Sequence, residues 1–293
     1  MSLYDSILIT GGGGMLARAS ADLLREKNLS PISLTRAELD IADEGQIAGA
    51  FAKYRPTLLL NCAAHTKVDL CEQEREKADA INGIAVGTLA RHCRTSGACL
   101  VHLSTDFVFD GKLKRPYRPD DPVNPINAYG RSKLLGEKQL QASAPPRWLI
   151  VRTSWVYGRG GVNFPRTMVQ AAKAGKPLRV VNDQLGCPTY AVDLAQAIFN
   201  LLDANARGIW HVTNSGQTTW FDFAKATLAE FGITAPVEPL TSAQWMEMRP
   251  NSAIRPTYSV LDNEPYAWKT EQPMRSWKSA LADFHAAVER DGF

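Results

Sequence analysis

Five cysteines in 293 residues, at positions 62, 71, 93, 99 and 187, are odd in number and form no CxxC pair. That excludes a disulfide framework and a zinc knuckle, and the thiols read as buried and free. No apolar run approaches the ~18 residues of a membrane span, and "MSLYD" leads into an apolar segment without a basic stretch and cleavage site. The expected compartment is therefore the cytoplasm, with no membrane partner. Runs of like charge are missing as well. Lys and Arg number 33 against 30 for Asp and Glu, a scattered net +3 that leaves no footprint for nucleic acid but admits a small anionic ligand. Internal repeats, low-complexity tracts and flexible linkers are also lacking. What remains is an ordinary globular composition, 45% hydrophobic and 22% charged, long enough for one large or two modest domains.

Hydrophobic periodicity alternates along the first half. "SILIT" reads as a strand ending at a glycine cluster, and "MLARASADLLREK" follows at helical spacing. The strands "SPISLT", "PTLLLNCAA", "ACLVHLST" and "RWLIVRTSWVYG" then alternate with the helices "DEGQIAGAFAKY", "REKADAINGIAVGTLARHCRTSG" and "AYGRSKLLGEKQLQAS". This is the pattern of an α/β doubly wound parallel sheet of Rossmann type, a dinucleotide-binding domain over 1–154. "DLCEQEREKADA" reads as the solvated start of a helix. Over 155–293 the rhythm loosens into proline-punctuated loops and helices such as "AVDLAQAIFNLLDAN" and "WFDFAKATLAEFG". That predicts a smaller α/β substrate-binding region over the carboxyl ends of the strands, with some segments returning to the first domain.

In "ITGGGGMLARA" the pattern Gly11-x-x-Gly14-x-x-Ala17 sits between the first strand and the first helix. Glycines there let the backbone turn sharply and approach a pyrophosphate, and the helix N-terminus offers free N–H groups. The end of the second strand carries Thr35 and Arg36, with no acid until Glu38. A cation suits a 2′-phosphate, so NADPH is favoured and NADH remains possible; the plainer reading makes Arg36 a solvated loop residue.

"NAYGRSK" places Tyr129 one helical turn ahead of Lys133, so the phenol and the ammonium share a helix face. The nearby charge is expected to lower the phenol pKa toward that of a working acid or base. Ser104 and Thr105 end the fourth strand at the carboxyl edge. Hydroxyl, phenol and ammonium together can hold a carbonyl and deliver its proton.

Together with "LDIAD", "NCAAHTKVD", "STDFVFDG", "YGRSKLLGE", "RTSWVYG", "VVNDQLGCPT" and "RPTYSVLDN", these motifs resemble the extended short-chain dehydrogenase/reductase family over nearly the whole chain. Within it they are most similar to reductases of dTDP-4-keto-6-deoxysugars. The resemblance implies that Thr105 polarises the carbonyl, Tyr129 donates the proton, and Lys133 binds the nicotinamide ribose and lowers the tyrosine pKa. Gly11, Gly14, Met15, Leu16 and Arg36 would contact the cofactor, Asp40 and Ile41 would lie near the adenine, and Ala63, Ala64 and Thr66 would flank it. Thr66, Val68, Thr105 and Trp155 would face the dTDP-sugar substrate, although a tryptophan on an apolar stretch serves equally as core. His65, without a suitably spaced partner ligand, reads as packing.

The family also holds nucleotide-sugar epimerases and dehydratases, and the regulatory subunit of methionine adenosyltransferase is similar to it. Dehydratases place an Asp-Glu pair after the strand-end threonine, whereas here Asp106 precedes Phe107. Phe107 and Tyr258 depart from the tyrosine and asparagine common in relatives. Some members bind a divalent metal through acids at a dimer interface. The matching positions here are Ala19 and Val192, so no metal and a monomer or weak homodimer are expected.

Overall fold

A computed structural model describes residues 4–293; the first three residues of the N-terminal reading above lie outside it. Among the described residues the central element is a six-stranded sheet of β1 (Ile7–Thr10), β2 (Ile32–Leu34), β3 (Leu58–Asn61), β4 (Cys99–Thr105), β5 (Arg147–Thr153) and β10 (Gly208–His211). The order is β2-β1-β3-β4-β5-β10, and every pairing is parallel. A parallel sheet must be covered on both faces, and the strands alternate accordingly. Ile7, Ile9, Leu58, Leu60, Val101 and Val151 pack on one side with α1 (Met15–Glu26) and α8 (Ala191–Asp203). Leu8, Leu59, Leu100 and Ile150 pack on the other with α2 (Glu44–Tyr54) and α5 (Ala85–Ser96).

The long helix read between β3 and β4 is interrupted. The chain makes α3 (Val68–Gln73) and α4 (Arg75–Asp79), then a π-helical turn at Ala80–Ile84 before α5. Gln73 and residues 75–77 are exposed, as read for "DLCEQEREKADA", but the inner faces of α3 and α4 are not. Cys71 and Ala78 are buried, and the Glu72 carboxylate accepts from the Ala128 N–H at 2.7 Å. That bond helps fix the start of α6 (Ala128–Ser143), where the Asn127 side chain caps the Gly130 N–H at 2.8 Å. "RWLIVRTSWVYG" is likewise not one strand. It breaks after Thr153 because Trp155 takes φ +47°, and β6 (Val156–Tyr157) turns away to pair with β9 (Thr189–Tyr190).

Beyond β6 lie α7 (Phe164–Lys173), β7 (Leu178–Val181), β8 (Leu185–Gly186), β11 (Thr218–Thr219), α9 (Trp220–Glu230), β12 (Val237–Leu240), α10 (Ser242–Met248), α11 (Glu264–Thr270) and α12 (Trp277–Asp291). β12 pairs with β7 and β11 with β8. An aromatic cluster of Tyr157, Tyr190, Phe223, Trp277 and Phe284 holds this part together. From this part of the chain β10 pairs with β5 and α8 packs against the main sheet. All five cysteines are free, and four of them are buried. No helix among the described residues is long and apolar enough to cross a membrane.

Candidate active site

The order of the parallel sheet reverses between β1 and β3, and open α/β sheets bind ligands outside the carboxyl ends of strands at such a point. A cavity of about 600 Å³ lies there. Its floor is the glycine turn, from which Gly11, Gly14, Met15 and Leu16 all line the space. Gly11 has φ +66°, and a Cβ on it would stand 2.8 Å from the Ala63 nitrogen, so no other residue fits between β1 and the chain after β3. Gly14 stands at the N-cap of α1 and makes no side-chain cap, and the first turn carries no acid, so the helix presents uncapped N–H groups to the cavity.

Arg36, Asp40 and Ile41 form one end of the cavity. Arg36 is exposed and ion-paired, its Nη2 standing 3.1 Å from Asp40 Oδ2. Ala63, Ala64 and Thr66 form the wall behind β3. That wall is held from outside by Asn82 on the π-helical turn. Its Oδ1 accepts from the His65 N–H at 2.8 Å, and its Nδ2 donates to the His65 carbonyl at 3.0 Å. His65 Nε2 lies 3.2 Å from Glu74, and no cluster able to hold a metal occurs among the described residues.

Tyr129 and Lys133 enter from α6, as their spacing predicts, and both line the cavity. Gly130 lets α6 sit against the chain after β4, because a Cβ there would fall 2.1 Å from the Phe107 carbonyl oxygen. That contact brings Tyr129 beside Thr105 and packs its ring edge-on against Phe107, with centroids 5.9 Å apart. Thr105 is buried behind the cavity wall. Its hydroxyl donates to Asp106 Oδ1 at 2.9 Å and accepts from the Phe107 N–H at 3.2 Å.

The electrostatics differ from the expectation of an acidified phenol. Burial, and then the Asp106 carboxylate, push the Tyr129 pKa up rather than down. Lys133 does not reach the phenol. Its Nζ donates to the Leu103 carbonyl and lies 3.3 Å from His102 Nε2, deep under the sheet edge. Burial brings the Lys133 ammonium down to about 8, partly offset by Glu137 one turn on. Sharing a helix face therefore places both groups at one cavity without pairing them.

Val68 and Trp155 do not line this cavity. Val68 opens α3, and Trp155 stacks on Trp220 with ring centroids 3.5 Å apart and an interplanar angle of 11°.

The sequence profile of the RmlD substrate binding domain family matches residues 5–290. The chain belongs to this family. Similar members include a dTDP-4-dehydrorhamnose reductase of Streptomyces griseus, 40% identical with 96% of this chain and 93% of that one covered. A dTDP-4-keto-6-deoxy-D-glucose reductase of Streptomyces niveus is 39% identical, covering 99% of each. Among solved structures, the dTDP-4-dehydrorhamnose reductase of Bacillus anthracis in complex with NADP superposes with a TM-score of 0.90 at 34% identity, over 97% of this chain and 98% of that one.

Several residues that build the site in this family member escaped the motifs. Asn82 sits mid-helix in sequence and gives no sign of the π-turn that aims it. His102 looks like one more strand residue, yet it is fully buried between Asn61 Nδ2, at 3.1 Å, and Lys133. Glu137 and Arg152 form a buried ion pair at 2.7 Å under Ser104. The only signal available was a glutamate and an arginine on apolar runs.

Proposed function

We propose that the protein is an NADPH-dependent oxidoreductase that reduces the 4-keto group of a dTDP-4-dehydro-6-deoxyhexose, converting dTDP-4-dehydro-L-rhamnose to dTDP-L-rhamnose. The observation that carries this reading is Tyr129 set between the buried Thr105 hydroxyl and the cavity above the glycine turn. The chain fits a dinucleotide: Gly11 leaves no room for a Cβ, and the N-terminus of α1 has no side chain competing for its N–H groups. Gly14, Met15 and Leu16 would hold the pyrophosphate, Arg36 a 2′-phosphate, and Ala63, Ala64 and Thr66 the remaining wall. When bound, the nicotinamide supplies a hydride to C4.

The protein's own residues supply the rest. Tyr129 Oη gives its proton to the developing alkoxide at O4, and its raised pKa keeps that proton in place until the oxygen becomes more basic than the phenol. The Thr105 hydroxyl stabilises the same oxygen, and Lys133 supplies positive charge close to the cofactor ribose. The sugar nucleotide would lie between this edge and the region over 155–293, beside Thr66, with Val68 and Trp155, which stand outside the cavity, as its further flanks.

A second reading, reduction of a 4-keto-6-deoxy-D-glucose nucleotide, is favoured by the full-length similarity to the Streptomyces niveus enzyme. NADPH consumption with each of the two 4-keto sugars separates the readings, and oxidation with neither overturns both. In the active pairing, Tyr129→Phe lowers kcat by the ~10²–10⁴-fold of a lost general acid while NADPH affinity stays close to wild type.

A further inference from the structure

Thr105 has one hydroxyl hydrogen, and in this structure it is committed. The oxygen accepts from the Phe107 N–H, and the hydrogen goes to Asp106 Oδ1 at 2.9 Å. A threonine in that state has no hydrogen to offer a carbonyl. Asp106 is itself 2% exposed, and among the described residues its Oδ2 has no hydrogen-bond partner. A carboxylate so placed is costly, and it would stand beside the oxygen on which negative charge develops.

We propose that Asp106 is a positioning residue that is protonated in the reactive form, its carboxyl O–H donating to Thr105 Oγ1 so that the Thr105 hydrogen turns to the substrate oxygen. This rests on the reading of Thr105 as the partner of the carbonyl. The proton on Asp106 stays where it is through the reaction. The proton that reaches the product comes from Tyr129, so the balance of the reduction is unchanged.

The surroundings favour the neutral carboxyl. The groups facing it are Thr105 and the Phe107 N–H on its own turn, the Ser259 hydroxyl from the chain after α10, the Tyr129 phenol from α6 and the Cys187 thiol from between β8 and β9. None of these is a cation. Burial raises the Asp106 carboxyl to about 7, against smaller opposing effects from the Ser259 and Thr105 hydroxyls. The sign follows: the group is protonated below that value, so the active form is present at acid pH and is lost as pH rises through neutrality.

The test is kcat for 4-keto sugar reduction as a function of pH in wild type, Asp106→Asn and Ser259→Ala. Wild-type kcat should fall by about tenfold per pH unit above neutrality. In Asp106→Asn the amide N–H donates to Thr105 at every pH, so this fall should vanish and the variant should overtake wild type at alkaline pH. Ser259→Ala removes a hydroxyl that stands beside the carboxyl and gives its hydrogen to the Leu185 carbonyl at 3.4 Å; that hydrogen turns to Asp106 only when the carboxyl ionises, so its loss should move the wild-type fall to higher pH without abolishing it. A folded Asp106→Asn enzyme that keeps the wild-type fall would overturn the proposal. So would an active wild type whose kcat is flat across neutrality, or a Ser259→Ala profile superimposed on wild type. Wild type inactive on every 4-keto sugar would instead overturn the functional reading, and this inference with it.

Discussion

Arg36 is the residue proposed to select the cofactor, and its ion pair with Asp40 limits how strongly it could choose. A guanidinium on a 2′-phosphate contributes about 1.5–3 kcal/mol. Here the phosphate must draw it from Asp40, and an exposed pair of this kind is worth ~0.2–1 kcal/mol. The preference for NADPH over NADH should therefore be roughly five- to thirty-fold, the equivalent of about 1–2 kcal/mol. Arg36→Ala should remove most of it, and Asp40→Asn should widen it; dissociation constants for both cofactors check this, and equal wild-type constants would dismiss Arg36 as the selector. The cation was legible in "SLTRAELD". Its partner Asp40 ends the same stretch, but their pairing was not legible, because it depends on the turn in which the Glu38 and Leu39 N–H groups close on the Thr35 carbonyl. Tyr129 and Lys133 teach the same limit. Helical spacing correctly placed both at one cavity, but the direction of the Tyr129 shift depends on burial and on Asp106, which no i, i+4 rule contains.

At the scale of elements, strands and helices of the first half were legible from periodicity, and the exceptions fall where function concentrates. The helix read as continuous carries the π-turn at Ala80–Ile84, an insertion that such helices tolerate mainly at functional sites. Its effect is to swing Asn82 onto the backbone of His65, and so to fix the wall formed by Ala63, Ala64 and Thr66. Apolar periodicity cannot report one extra residue in a helical turn, since the pattern resumes on both sides. Asn82→Leu would strand the His65 N–H and carbonyl, at a cost of ~1–3 kcal/mol in stability. The expected outcome is a lower denaturation midpoint together with weaker NADPH binding. A variant less stable but with unchanged NADPH affinity would show that the clamp serves the fold alone.

Across the whole molecule, the placement of the cavity followed from strand order, and the doubly wound class, though not that order, followed from the alternation visible in the sequence. The assembly did not. Ala19 is partly buried against the core and Val192 is exposed, and neither offers an oxygen to a divalent cation. The neighbouring acids are already engaged: Asp22 with Arg25 at 2.8 Å, and Asp193 with Arg275 and with the Asn214 amide at 2.7 Å. Treatment with EDTA should leave both NADPH turnover and solution mass unchanged; a loss of either that Mg²⁺ restores would reveal a site built from other residues.

Trp155 and Trp220, in face-to-face contact at 3.5 Å, also amount to a single optical unit. Two indoles so close share their excited state, which gives a paired near-ultraviolet circular dichroism band and quenched emission. Trp155 terminates the run from β5, and Trp220 opens α9 in the second half of the chain. A ligand that tilted or parted the rings would register as a change in near-ultraviolet circular dichroism and in emission before any hydride moved.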